Sequence, residues 1–286
     1  MKFGMNLLLY TTNPDDSIFP ICEKLQAMGY DGLEWPILGI SKEMATKVGE
    51  FNRKIGLGAT AVSVLSEDEN PLSDDPAVRE KGLAGIRERL ELAKLMNVEY
   101  ICGPLMQPLG WFTGQPVTKA QWANMVSFLK EAGEIAAGVG VGLVLEPINR
   151  FEIFSVNTSA DCARLCADVD HPSVKMMLDS FHMNIEEKDV RQAFRTAKPH
   201  LAHVHVSEND RGVPGSSRSI RWDDFFGGAK EVGYDGWMTI EAFSSAMPDL
   251  AAAARIWRPL FDDADKLCSD GLLFMKKLAA DPASAT

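Results

Sequence analysis

The feature that most limits how this chain can fold is an alternation of short apolar runs with longer amphipathic segments, continued from one end to the other. The apolar runs are rich in β-branched or bulky residues and are bounded by Gly, Asn, Asp or Pro, which is typical of buried strands. Eight such runs occur, and they begin at Lys2, Tyr30, Gly58, Val98, Gly142, Val174, Leu201 and Gly236.

The segments between the runs carry apolar residues three and four positions apart, as in the stretches that start at Pro76 and Lys119, and this spacing predicts helices. Glycines in "AMGYDG" and "GVGVGL" predict helix ends with a left-handed residue. Eight strand-helix units of about 30 residues each predict a parallel barrel ringed by helices, the (β/α)8 TIM barrel of the α/β class. We expect one domain over residues 1–286, with residues 279–286 as a frayed tail.

An open doubly wound sheet is the alternative to the barrel. Such a sheet normally has a glycine-rich phosphate-binding turn after its first strand. The stretch "LLLYTTNPDD" contains no glycine, so the barrel is favoured.

Composition and charge exclude several classes of partner. The net charge of −11 and the pI near 5.0 disfavour a nucleic-acid partner, which usually requires a basic face. No apolar span approaches membrane length and no cleavage site follows the first apolar run, so we expect no membrane partner and a cytoplasmic location. The five cysteines lack paired spacing, which argues against a disulfide framework.

Charged or coordinating residues stand at or near the ends of the last four strands. They are Glu146, Asp179, His205 and Glu241, about one strand-helix unit apart in sequence. In a barrel of this kind the carboxyl ends of the strands meet at one rim, where catalytic residues lie. Backbones of the fifth and eighth strands would be roughly 12 to 13 Å apart, so two glutamates could reach one ion between them.

Three carboxylates and one imidazole form an oxygen-rich donor set with open positions, which suits Mn²⁺, Mg²⁺ or Co²⁺. Without a cation the three carboxylates would repel one another. A divalent ion between two opposed carboxylates could move a proton on a carbon beside a carbonyl group. Return of the proton to the opposite face gives epimerisation, and delivery to the neighbouring carbon gives aldose-ketose isomerisation.

The stretches "EPINRFE", "LDSFHMNIEE", "HVHVSENDRGVPG" and "IEAF" resemble the signatures of the ketose 3-epimerases, the D-tagatose and D-psicose (D-allulose) 3-epimerase group of the xylose-isomerase-like barrels. The resemblance implies one divalent metal, with manganese in first place, held by Glu146, Asp179, His205 and Glu241. It implies that Glu146 and Glu241 exchange the C3 proton of a free ketose through a cis-enediolate.

By the same resemblance, Glu152, His182 and Arg211 would hold the oxygens of the substrate. Trp111, Phe243 and Glu34 are candidates for the pocket wall. The first strand departs from the family, because "GMNLLLYTT" stands where several aromatic residues usually lie, so the distal pocket is expected to differ. Chain length and stereochemistry of the substrate remain open.

Several alternatives to a ketose 3-epimerase remain. An isomerase similar to hydroxypyruvate or xylose isomerase, or an inosose-type enzyme, would share the barrel and metal site. An endonuclease acting at abasic sites would need more than the five histidines present and a basic face. A non-catalytic sugar-binding protein would not need opposed glutamates. Arg218 and Arg221 leave a phosphorylated sugar open, and the resemblance implies a homodimer or homotetramer.

Overall fold

A computed structural model of the chain describes residues 1–285. Its centre is a closed barrel of eight parallel strands, arranged in sequence order so that β1 also pairs with β8. The strands are β1 (Lys2–Asn6), β2 (Gly32–Pro36), β3 (Gly58–Val62), β4 (Tyr100–Gly103), β5 (Gly142–Leu145), β6 (Val174–Asp179), β7 (Leu201–Val206) and β8 (Trp237–Ile240). The predicted TIM barrel is therefore confirmed.

Helices surround the barrel, and all but the last two of them connect successive strands on its outside. They are α1 (Phe19–Met28), α2 (Lys42–Ile55), α3 (Pro76–Leu95), α4 (Lys119–Val139), α5 (Ser159–Val169), α6 (Ser180–Glu186), α7 (Val190–Ala197), α8 (Trp222–Glu231), α9 (Pro248–Ala254) and α10 (Ala264–Ala280). Within the described residues, every helix is too short or too polar to cross a lipid bilayer.

The ends of these helices follow from local sequence. Thr118 begins α4 with a capping box, in which its hydroxyl accepts the Gln121 N–H while the Gln121 side chain accepts the Thr118 N–H. Gly29 and Gly140 end α1 and α4 at positive φ values of 97° and 81°, where a side chain would be strained. Both predicted glycine ends are confirmed.

Alternation along the strands divides the apolar core into two parts. On β5, Leu143 and Leu145 face outward and pack in the large cluster between the barrel and the helices. Val144 between them belongs to a smaller cluster with Cys102 of β4 and Met177 of β6. All three of these residues are buried, so the lower part of the barrel interior is filled by side chains.

Two segments differ from the sequence-based expectation. The first apolar run was expected to continue as a strand, but Leu7–Leu9 form a 3-10 turn because the Asn6 side chain accepts the Leu8 N–H at 2.9 Å. Pro282–Ala285, where a frayed tail was expected, also form a 3-10 helix, and Lys277 Nζ donates to the Ser284 carbonyl at 2.7 Å. Thr286 lies outside the described residues.

Candidate active site

Four buried side chains converge at the carboxyl end of the barrel. They are Glu146 immediately after β5, Asp179 at the end of β6, His205 in β7 and Glu241 immediately after β8. One ligand atom from each lies within 4.8 Å of the others. The parallel register pairs Asp179 with His205 directly, which places these two side chains at the same height in the barrel.

The arrangement of atoms fits a divalent cation. His205 Nδ1 lies 3.5 Å from Glu241 Oε1, 3.7 Å from Asp179 Oδ2 and 3.9 Å from Glu146 Oε1. Both His205 Nδ1 and Glu146 Oε1 are buried without a hydrogen-bond partner in the protein. Buried polar atoms without partners are costly, and an ion between them would remove that cost.

Arg211 supplies positive charge beside this cluster. Its Nη1 donates to Asp179 Oδ2 at 2.9 Å and to Glu241 Oε2 at 2.7 Å. The guanidinium lies 3.9 Å above the ring of Phe181 and 5.2 Å from the ring of Phe243. The Arg211 backbone has a φ of 66°, which is unusual for a residue with a side chain. The loop after β7 thus turns this side chain inward.

The environment separates the pKa values of the three carboxyl groups. Burial, with the charges of Asp179 and Glu34 added, raises the pKa of Glu241 to about 7. Burial and the nearby Glu241 hold the pKa of Glu146 well above its usual range. Burial also acts on Asp179, but Arg211 and the neighbouring histidine His205 lower its pKa below the usual range. Glu146 and Glu241 therefore hold a proton more readily than Asp179 does.

A second layer of polar side chains lies directly below the cluster. Glu34 is fully buried, and its Oε1 lies 2.7 Å from His205 Nε2, while its Oε2 lies 3.0 Å from His203 Nε2. Thr60 Oγ1 and Asn6 Nδ2 donate to the two Glu34 oxygens at 2.8 and 2.9 Å. Glu34, His203 and His205 with Cys102 form a second group with metal-binding side chains.

Glu34 therefore does not have the position expected for it. It was a candidate for the pocket wall, but it is covered by the residues of the metal cluster and is absent from the described lining of the cavity. The reason is its position within β2, one level below the rim. Asn6, which was not predicted as a site residue, also belongs to this layer, and its signal in the sequence is an asparagine at the end of an apolar strand.

The three predicted substrate contacts, Glu152, His182 and Arg211, all line one cavity with Glu146 and Glu241. His182 Nδ1 accepts the Asn149 N–H at 3.1 Å. Burial and the Arg211 charge lower the pKa of His182 to about 3, so its ring is neutral at pH 7. The side-chain amide of Asn149 donates from Nδ2 to Glu152 Oε1 at 2.7 Å and so holds the carboxyl group of this cavity-lining residue in place.

The other predicted residues divide between the cavity and the surface. Phe243 lines the cavity. Trp111, in the loop after β4, does not belong to the described lining, and its ring packs 5.7 Å from the ring of Phe154 in the loop after β5. Arg218 and Arg221 are exposed, and Arg221 lies 3.5 Å from Asp224 Oδ2. The described structure therefore offers a phosphate no contact with these two arginines inside the cavity.

Comparison with known proteins identifies the family. The model of the xylose isomerase-like TIM barrel family matches residues 22–277, so the chain belongs to that family. A D-psicose 3-epimerase from Agrobacterium fabrum is 33% identical over 93% of this chain and 93% of the relative. A ketose 3-epimerase from Arthrobacter globiformis is 30% identical over 98% of both chains.

One solved crystal structure is also similar over nearly the whole chain. The crystal structure of D-psicose 3-epimerase with D-tagatose from Clostridium cellulolyticum H10 superposes with a TM-score of 0.89, at 28% identity, covering 98% of this chain and 99% of the other. The resemblance to the ketose 3-epimerases seen in the motifs is confirmed. The chain is accordingly an enzyme of the isomerase class with a buried set of metal-binding side chains.

Proposed function

We propose that this protein is a divalent-metal-dependent ketose 3-epimerase that inverts the configuration at C3 of a free ketose. The observation that carries the proposal is the pair Glu146 and Glu241. These carboxyl groups follow β5 and β8, lie within 4.8 Å of each other at their nearest ligand atoms, and both have raised pKa values. The similarity to proteins named as D-psicose and ketose 3-epimerases supports the choice of substrate class.

The metal would be held by Glu146, Asp179, His205 and Glu241, and we propose Mn²⁺ first, with Mg²⁺ or Co²⁺ as substitutes. When bound, it polarises the carbonyl group of the substrate and stabilises the negative charge that develops on the carbonyl oxygen. Asp179 is kept ionised by Arg211, so it remains a ligand at neutral pH.

The protein groups then perform the proton transfers. One of the two glutamates, Glu146 or Glu241, removes the C3 proton, and the other delivers a proton to the opposite face of the same carbon. Glu152 lines the cavity and would accept hydrogen bonds from hydroxyl groups next to the reacting carbon, and the neutral ring of His182 would lie beside them, with its Nε2 atom 2.9 Å from Arg211 Nη2. Arg211 contacts Asp179 and Glu241 and so fixes the orientation of both carboxylates.

An aldose-ketose isomerase is the second candidate, because the same metal and carboxylates could deliver the proton to C2. We test the two together by incubating the Mn²⁺-loaded protein with free ketoses in D₂O and following deuterium by NMR. Deuterium at C3 with the C3 epimer as product would support the epimerase. Deuterium at C2 with an aldose as product would replace it by the isomerase.

Substitutions of the two glutamates complete the test. We expect Glu146→Gln and Glu241→Gln each to lower kcat by about 10² to 10⁴-fold, because an amide cannot carry the proton. Glu69→Gln is the matched control, since Glu69 is a buried glutamate paired with Arg89 on the outside of the barrel. Loss of activity in the control as large as in the other two would contradict the proposed roles.

A homodimer or homotetramer remains a prediction, as does the cytoplasmic location. Two large aromatic side chains, Phe151 and Trp257, are 73% and 72% exposed, which supports an interface between copies. Light scattering during size-exclusion chromatography would test it. A mass equal to one chain of 31.4 kDa would contradict it.

A further inference from the structure

The cavity above the metal cluster has two chemically different halves. Its volume is about 180 Å³. Every polar side chain in its described lining follows one of the strands β5 to β8, namely Glu146, Glu152, His182, Arg211 and Glu241. The reacting carbons of a substrate must lie at this half, because the two proton-transferring glutamates are there.

The opposite half of the cavity is apolar. Six lining residues lie at or after the ends of strands β1 to β4, and they are Leu8, Leu38, Val62, Val64, Pro104 and Leu109. The described side chains of this half that line the cavity carry no hydroxyl, amide or charged group. A hydroxyl group that enters this half therefore loses hydrogen bonds to water and gains no side-chain partner.

The helix α9 extends the apolar half over the mouth of the cavity. It follows β8, which pairs with β1 in the closed barrel, and it contributes Leu250, Ala253 and Ala254 to the lining. Leu38 and Leu109 at the rim are each 39% exposed, so a ligand group that covers them removes apolar surface from water. A methyl group gains from this contact, whereas a hydroxymethyl group also loses hydration.

We propose that the substrate of this site is a deoxyketose, a ketose whose terminal carbon carries a methyl group instead of a hydroxymethyl group. The inference rests on the proposed function, because it takes the carbon between Glu146 and Glu241 to be C3. The end of the chain distant from C1 then extends over the apolar half. A 6-deoxyketohexose is the simplest sugar that fits this description.

The charge and the volume of the cavity disfavour two other classes of ligand. A phosphorylated terminus would need a cation in the apolar half, but the only cationic side chain in the described lining is Arg211, which is bonded to Asp179 and Glu241. A glycoside with a second sugar or a large aglycone would not fit within about 180 Å³ and would have to extend out of the cavity past Leu38 and Leu109, since sites for drug-sized ligands measure about 300 to 1,000 Å³.

The test compares matched pairs of sugars that differ by one hydroxyl group. D-tagatose, D-psicose and D-fructose would each be paired with the 6-deoxy form, and both Kd and kcat/KM measured with the Mn²⁺-loaded protein. We expect the deoxy member of at least one pair to have a Kd lower by about tenfold, the cost of one unpaired hydroxyl group. Equal or weaker binding of the deoxy member in every pair would overturn the proposal.

A substitution in the protein separates the effect of the pocket from that of the sugar. This is needed because 6-deoxyketohexoses cannot form pyranose rings, so the two sugars of a pair adopt different ring forms in solution. Val64→Thr places a hydroxyl group in the apolar half, and Val117→Thr makes the same change at a half-buried residue outside the cavity. We expect Val64→Thr to reduce the deoxy preference about threefold or more, and Val117→Thr to leave it unchanged. The same reduction in both variants, or in neither, would overturn the proposal.

Different results would contradict the deoxyketose proposal and the epimerase proposal. Metal-dependent deuterium exchange at C3 with the hydroxylated sugars preferred would retain the epimerase and overturn the deoxyketose. Tight binding of the deoxy sugars without exchange at C3 would retain the substrate class and overturn the epimerase.

Discussion

His205 depends on a neighbour one level below it in the barrel. The Glu34 carboxylate lies 2.7 Å from His205 Nε2, so it can accept a hydrogen bond from the Nε2–H group and leave Nδ1 free to face the three carboxyl groups of the cluster. Pairing of a ligand histidine with a carboxylate fixes the orientation and tautomer of the ring and raises its basicity. We therefore expect Glu34 to act as a positioning residue for the proposed metal site.

Glu34→Gln is expected to weaken Mn²⁺ binding by about 10 to 100-fold, because an amide holds the imidazole less firmly. Titration calorimetry would measure Kd at pH 7.5. Glu69→Gln removes another buried carboxylate, paired with Arg89, and should leave the metal Kd unchanged. Equal metal affinity in Glu34→Gln and the unmodified protein would contradict the role given to Glu34.

Metal binding is also expected to weaken as pH falls. Without a metal, burial raises the pKa of Glu241 to about 7, so this group holds a proton below neutral pH, and the pKa of Glu146 is also raised well above its usual range. A metal binds only the deprotonated ligands, so binding releases these protons and is favoured above the raised pKa values. Each released proton changes Kd by about tenfold per pH unit below its pKa.

Calorimetry at pH 6 and pH 8, in buffers with different ionisation enthalpies, would measure both the affinity and the number of protons released. A Kd that is the same at both pH values, without proton release, would show that the carboxyl groups are already ionised in the metal-free protein.

At the scale of elements, the ring of helices depends on a close contact between α2 and α3. A Cβ atom built on Gly49 of α2 would lie 1.9 Å from the Leu95 carbonyl oxygen of α3, a distance at which backbone must move. Gly138 of α4 is a glycine in the same kind of element, and a Cβ atom there meets nothing within 4 Å.

Gly49→Ala is therefore expected to lower the free energy of unfolding by about 1 to 3 kcal/mol through overpacking. Gly138→Ala should raise it by up to about 1 kcal/mol, because alanine favours the helix. Urea denaturation followed by circular dichroism would measure both. The α2–α3 contact would be less tight than the structure shows if the two variants had the same effect.

The end of the first strand is a feature that the sequence pattern did not predict. The run "LLLY" continues the first strand by composition, yet the chain turns at Leu7 because the Asn6 side chain accepts the Leu8 N–H. The same Asn6 amide contacts Glu34 and Glu241 at 2.9 and 3.3 Å. A strand pattern contains apolar periodicity only, so it could not reveal that one asparagine both ends the strand and joins the site.

At the scale of the whole molecule, metal binding should stabilise the barrel. The four proposed ligands come from β6 and β7 and from the chain just after β5 and β8, so an ion held by all of them would link separate parts of the sheet. A ligand that binds only the folded state adds about 2.7 kcal/mol at a concentration of 100 times Kd.

Mn²⁺ at that concentration is expected to raise Tm by several degrees over chelator-treated protein. Differential scanning calorimetry would measure the shift. Asp179→Asn lacks one ligand charge and should show a much smaller shift. An equal shift in Asp179→Asn would indicate that the metal binds outside the cluster.

Much of this protein could be derived from its sequence. Strand-helix alternation predicted the barrel because its periods are local and the closed order of strands follows from them. The polar residues Glu146, Asp179, His205 and Glu241 could be grouped because the ends of parallel strands meet at one rim. Both inferences need only spacing along the chain.

Only the tertiary structure decided which neighbours these residues have. The hydrogen bond from His205 to Glu34, the inward turn of Arg211 and the division of the cavity into polar and apolar halves join residues far apart in sequence. Such contacts depend on register and on the level of each side chain within the barrel. A shift of one residue along a strand reverses its facing, so sequence periodicity alone does not determine them.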